Sequence, residues 1–167
     1  MTTGAANYQL AEQLGKALHQ RGCSVTAAES CTGGGVAHAI TAVPGSSAWF
    51  GCGFVTYANS AKHRLLAVSD EILAREGAVS EEVVRQMAEG ASAASGAEFA
   101  VAISGIAGPG GGSSDKPVGT VWFAWATPNG TQAKKYLLSG DRSSVREQAI
   151  EISLKELLHR VTGYNTV

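Results

Sequence analysis

Aromatic side chains are scarce, at 7% of the 167 residues, and charged ones make up only 16%. With 44% hydrophobic residues, the chain is nevertheless too apolar and too weakly charged to stay disordered. Long apolar runs are missing: no stretch approaches the roughly 18 uninterrupted apolar residues that a membrane span requires. The first 15 residues lack the basic start, hydrophobic middle and small-residue end of a signal peptide, so the expected location is the cytoplasm. Cysteine occurs three times (Cys23, Cys31, Cys52), too few and too odd a number for a disulfide scaffold, which favours a reducing compartment. The 21 glycines follow no triplet period, which excludes collagen. An excess of one charge is also missing: the net charge is -1, leaving no global basic field for nucleic acid. The four histidines (His19, His38, His63, His159) form no metal-ligand pattern and there is no Cys-x-x-Cys, so neither metal nor cofactor is expected.

What is present reads as one domain, 1–167, with a core of about 8–161. Residues 1–60 hold two cations and two anions, 61–100 are net -3, and 101–167 are net +2. Leu10, Leu14, Ala17 and Leu18 recur at helical spacing and predict a helix over 8–21, capped by Asn7 and stopped by Gly22. Val25–Ala28 reads as a strand, Val36–Val43 as a helix of small residues, and Ala48–Tyr57 as a strand weakened at Gly51 and Gly53. Asn59 or Ser60 is placed to cap a helix over 61–66, and another short helix follows Ser69. Ser80 opens a helix to about Ser95, and Glu98–Ser104 is a strand. Asn129-Gly130 predicts a hairpin between Val118–Ala126 and Thr131–Leu138. Residues 142–161 form a last long helix. The alternation gives an α/β fold with a mixed sheet. Trp49, Trp122 and Trp125 fall in strands as core or interface residues, and Cys23 and Cys52 read as buried small hydrophobes.

Four segments could carry chemistry. In Glu29-Ser30-Cys31-Thr32-Gly33-Gly34-Gly35 a strand end meets a helix start, where unpaired N–H groups can hold an oxyanion and Ser30 can face them. Ser30 as a plain N-cap is an equal alternative, Cys31 a lesser nucleophile candidate, and Glu29 reads as structural. In Tyr57-Ala58-Asn59-Ser60-Ala61-Lys62, Lys62 is either a solvated lysine or a base of lowered pKa for a nearby hydroxyl, and Tyr57 a proton relay or a substrate contact. Ser104–Gly112 follows a strand and carries five glycines, either a backbone cradle or an exposed loop. Arg142 and Arg146 share one face at a helix start, where cations oppose the macrodipole; Asp141 or a phosphate would offset them, and Ser143 and Ser144 are alternative caps.

Taken together, Ala28-Glu29-Ser30-Cys31-Thr32-Gly33-Gly34, Tyr57-x-Asn59-x-x-Lys62, Gly105-Ile106-Ala107-Gly108-Pro109-Gly110-Gly111, Lys116-Pro117-Val118-Gly119-Thr120-Val121 and Gly140-Asp141-Arg142 closely resemble the C-terminal domain of the competence-damage-inducible protein CinA. The likeness spans about residues 8–161. It implies a three-layer α/β/α single domain with a mixed β-sheet, without the extra N-terminal domain that two-domain members carry. Stand-alone members of that family are nicotinamide mononucleotide (NMN) deamidases. The resemblance therefore implies hydrolysis of the NMN carboxamide to nicotinate mononucleotide and ammonia, in pyridine nucleotide recycling. It makes Ser30 the nucleophile, assisted by Tyr57 and Lys62. Ser104 stands where many members have threonine, which keeps the hydroxyl and loses the methyl. Ala58 replaces a serine found in relatives.

On this reading Lys62 takes the Ser30 proton directly or through Tyr57, and amides of Thr32, Gly33 and Gly34 hold the oxyanion. Ser104 bonds substrate or nucleophile, and Asn59 and Gly105 contact substrate. Arg142, Arg146 and the Gly108–Gly112 backbone, with Gly110 and Gly111, take the 5′-phosphate. The expected partner is the small nucleotide, with no nucleic acid and no membrane, and the chain is expected to self-associate into a homo-oligomer. A non-catalytic nucleotide-binding module and a regulatory domain are the alternatives.

Overall fold

The structure is a computed structural model that describes residues 3–164. Its helices are α1 (Thr3–Arg21), α2 (Gly35–Thr41), α3 (Asn59–Leu66), α4 (Asp70–Glu76), α5 (Glu81–Ser95) and α6 (Arg142–Gly163). Its strands are β1 (Val25–Glu29), β2 (Phe54–Val55), β3 (Phe99–Gly105), β4 (Thr120–Thr127) and β5 (Gly130–Leu137), joined in the order β2-β1-β3-β4-β5. β2, β1 and β3 run parallel, while β4 and β5 are antiparallel additions.

Side-chain size on the two sheet faces sets the layers. One face is paved with alanine (Ala28, Ala100, Ala102, Ala124, Ala126), and α5 lies on it through Val84, Met87, Ala88 and Ala91. Small residues let helix and sheet approach closely; at Gly90 of α5 a methyl would run into the Leu66 carbonyl at the end of α3. The opposite face carries Val25, Val101, Ile103, Val121, Phe123 and Trp125, covered by α1, α2 and α6. Helices on both faces of a mixed sheet make a three-layer α/β/α fold.

Most elements stand where the sequence places them. The helix α5 starts after Ser80 and ends at Gly96, which adopts the left-handed C-terminal conformation with φ 76°. The predicted hairpin, the strand at 99–105 and the helix that Ser69 caps, accepting from Ile72 N–H, are all present.

Several expectations are corrected. The first helix begins at Thr3, because Ala5 and Ala6 are good helix formers, and Asn7 lies buried inside it rather than capping it. The strand expected over Ala48–Tyr57 shrinks to Phe54–Val55, preceded by a 3-10 turn at Ser46–Ala48. Trp49 therefore lies outside any strand, buried, with its ring against Gly15 of α1; this contact draws the segment into the helical layer. The α3 helix starts at Asn59 with Ala58 in the cap position, so neither Asn59 nor Ser60 caps it. Cys52 is exposed, and Cys23, in the connection from α1 to β1, is half-buried against the core.

Candidate active site

The motifs converge beyond the C-terminal ends of the three parallel strands, where α/β sheets bind ligands. Ser30 directly follows β1. Its N–H donates to the Ile103 carbonyl (3.0 Å), and Thr56 N–H donates to the Glu29 carbonyl (2.9 Å), so β3 and the end of β2 hold the serine backbone from both sides. The register pairs Ala28 with Ala102 and Glu29 with Ile103. One step further, the same register sets Ser30 beside Ser104, and the two-residue alternation turns both toward the α3 side of the sheet. Ser104 is buried.

The α3 helix then returns Lys62 to the strand ends. Lys62 is 1% exposed, and its Nζ lies 3.2 Å from Ser30 Oγ, 2.7 Å from the Thr56 carbonyl and 3.4 Å from the Tyr57 carbonyl. None of the ion pairs among the described residues includes it. Burial pushes its pKa below the ordinary lysine value, because desolvation penalises the charged form. In its neutral form the amine has two N–H bonds for these carbonyls and a lone pair left for the Ser30 hydroxyl. The solvated-lysine alternative for Lys62 is thereby excluded.

The turn from Ser30 to Gly35 has a strained shape that glycine permits: φ is 59° at Gly33 and 98° at Gly34. Glu29, also buried, closes the turn from behind. Its carboxylate accepts from Val36 N–H (2.9 Å) and Ala37 N–H (3.1 Å), in place of a cap that Gly34 cannot supply. Gly33 N–H is spent on the Ser30 carbonyl (3.1 Å) and Gly35 N–H on the Thr32 carbonyl (3.0 Å). Of the three amides expected to hold an oxyanion, those of Thr32 and Gly34 have no partner among the described residues. The Thr32 and Thr56 hydroxyls are buried and have no partner among the described residues. Thr56 was not a sequence candidate; a lone β-branched residue at a strand end carries no signal of its own.

Tyr57 is 65% exposed, and its hydroxyl accepts from Arg142 Nη2 (3.2 Å) rather than meeting Ser30 or Lys62. Arg142 Nη1 donates to the Gly108 carbonyl (2.8 Å). Asp141, one of the two offsets weighed for Arg142, caps α6 by accepting from Ser144 N–H (2.9 Å) and forms no ion pair with Arg142 among the described residues. Beside Arg142 lies a cleft of about 340 Å³ lined by Ala107, Pro109, Val118 and Gly140. Arg146 turns inward, with Nε donating to the Cys31 carbonyl (3.1 Å) and Nη2 to the Thr32 carbonyl (3.3 Å). Gly105 and Gly108 sit against Val121 and Val118, where a methyl would not fit. Gly110, Gly111 and Asn59 are exposed on the rim. Cys31 is buried, and burial first of all pushes its thiol up to about 11, which disfavours the thiolate that a cysteine nucleophile needs. A larger cavity of about 480 Å³, between the β4–β5 hairpin and the end of α6, contains none of these groups.

Residues 7–161 match the family model of the CinA C-terminal domain. The chain belongs to the CinA C-terminal domain family. Among CinA-family relatives, it is 58% identical over 150 residues to the nicotinamide-nucleotide amidohydrolase PncC of Escherichia coli K12, covering 89% of this chain and 91% of that protein. The PncC of Pseudomonas putida is 54% identical over 149 residues, with 89% and 93% covered. The crystal structure of the competence damage-inducible protein A from Klebsiella pneumoniae superposes with a TM-score of 0.92 at 39% identity, covering 95% of this chain and 99% of that one. The CinA assignment agrees with the three-layer fold. No described helix is long and apolar enough to cross a membrane.

Proposed function

We propose that this chain is a nicotinamide-nucleotide amidohydrolase that converts NMN and water to nicotinate mononucleotide and ammonia, with Ser30 as nucleophile. The observation that carries the mechanism is the buried Lys62 amine 3.2 Å from Ser30 Oγ. The identity of 58% and 54% to PncC enzymes, over 89% of the chain in each case, supports the substrate.

Neutral Lys62 takes the Ser30 proton as Oγ bonds to the amide carbon. The developing oxyanion is held by the free amides of Thr32 and Gly34; one such donor is worth about 3 kcal/mol. Lys62, now an ammonium, returns the proton to the leaving nitrogen, and the carbon–nitrogen bond breaks to release ammonia. A water molecule then attacks the ester, giving its proton to Lys62, which passes it back to Ser30. Ser104, beside Ser30 in the register, hydrogen-bonds the substrate. The Tyr57 hydroxyl, held by Arg142, orients substrate at the rim rather than relaying the proton. The Arg142 cleft and the Gly110–Gly111 backbone take the phosphate.

The domain acts in the cytoplasm, in pyridine nucleotide recycling. Exposed Val55 on the edge strand β2 and exposed Leu65 on α3 support self-association. The direct test is purified protein with NMN in the presence of a chelator. The expected result is ammonia and nicotinate mononucleotide in equal amounts. Binding of NMN without ammonia would replace this reading with a nucleotide-binding module.

A further inference from the structure

Arg146 bonds the motif turn rather than facing the solvent, and the geometry points to a role other than phosphate binding. The peptide unit is planar and trans, so a carbonyl and the N–H of the next residue point in opposite directions. The Cys31 carbonyl is held by Arg146 Nε at 3.1 Å, which turns Thr32 N–H away from Arg146. The Thr32 carbonyl is held by Arg146 Nη2 at 3.3 Å and by Gly35 N–H at 3.0 Å, which turns Gly33 N–H away into its bond with the Ser30 carbonyl. One guanidinium thus fixes two successive peptide planes, and the first of them presents an unpartnered amide. A single cation on two carbonyls, with no carboxylate paired to it among the described residues, also leaves its positive charge directly behind the turn. Glu29 secures the other end of the same segment through Val36 and Ala37 N–H.

We infer that Arg146 is a positioning residue: it orients the Thr32 amide toward the oxyanion and does not bind the substrate phosphate. The inference rests on the amidohydrolase reading proposed above. Lysine at this position keeps the charge but cannot span both carbonyls in the planar fork of arginine.

The test is Arg146→Lys, with two readouts. Turnover of NMN should fall about 100-fold in kcat, the scale of losing one oxyanion donor. The Kd for NMN, measured calorimetrically in a Ser30→Ala background, should stay within about threefold with or without Arg146→Lys, because binding does not use the oriented amide. A Kd weakened tenfold or more, with kcat at saturation preserved, would overturn the inference in favour of phosphate binding. If the wild type releases no ammonia from NMN, the function fails instead, and amide nuclear magnetic resonance decides the geometry. Arg146→Lys should then shift the Thr32 and Gly33 amide resonances while leaving those of β4 unchanged. Unmoved Thr32 and Gly33 resonances would overturn the orienting role whatever the reaction.

Discussion

Lys62 Nζ and Ser30 Oγ lie 3.2 Å apart although they are 32 positions apart in sequence, and the lysine has no carboxylate partner among the described residues. A buried amine in this position is useful only when neutral. Folding lowers its pKa through desolvation, so the folded state binds the proton less readily than the unfolded chain. The sign follows: between the lowered value and the ordinary 10.5, the unfolded state holds more protons, and this group's contribution to stability grows as pH rises.

The same titration governs activity. kcat/KM should rise with pH along an acid limb set by Lys62, then level off below the ordinary lysine pKa. Lys62→Arg, permanently charged, should lose at least about 1000-fold in kcat at every pH. A pH–rate profile of the wild type and the variant checks this; a variant that keeps the wild-type acid limb would remove Lys62 as the base.

Tyr57→Phe separates orientation from proton relay. The hydroxyl touches Arg142 and neither Ser30 nor Lys62. Removing it should raise KM for NMN severalfold and lower kcat by less than about tenfold, the scale of one hydrogen bond at an exposed site. A loss near that of Lys62→Arg would restore the relay through Tyr57.

Gly90→Ala tests how α3 is seated. The added methyl meets the Leu66 carbonyl, which is backbone and cannot swing aside. The expected cost is about 2 kcal/mol or more, read as a lower denaturation midpoint. Because α3 carries Lys62, kcat should fall as well. An unchanged midpoint would mean that α3 and α5 adjust freely, and the site would not depend on that packing.

How far the sequence speaks depends on whether a signal is local. The helix α5 is legible because Ser80 and Gly96 punctuate it, and the hairpin because Pro128-Asn129-Gly130 marks a turn, although the turn residues are Pro128 and Asn129 and Gly130 already opens β5. The segment at 48–57 misleads because its aromatic character serves another layer: Trp49 covers Gly15 of α1 instead of joining the sheet. Asn7 and Asn59 look like caps by type, yet helix starts move by several residues when neighbours favour the helix. At the site, the motifs name Ser30, Lys62 and Tyr57, but only the fold brings Lys62 to Ser30 and sends the Tyr57 hydroxyl to Arg142. Arg146 shows the same limit: its spacing suits a phosphate, whereas α6 aims it at two carbonyls. Strand order is not local at all, and it is what gathers four separated motifs at one edge.

The central claim is that Ser30 attacks the amide. The most direct measurement compares ammonia release from NMN by the wild type and by Ser30→Ala, with calorimetry confirming that both bind the nucleotide. The account predicts steady release by the wild type and a loss of about 1000-fold or more in the variant at unchanged affinity. Release by Ser30→Ala within tenfold of the wild type would contradict it.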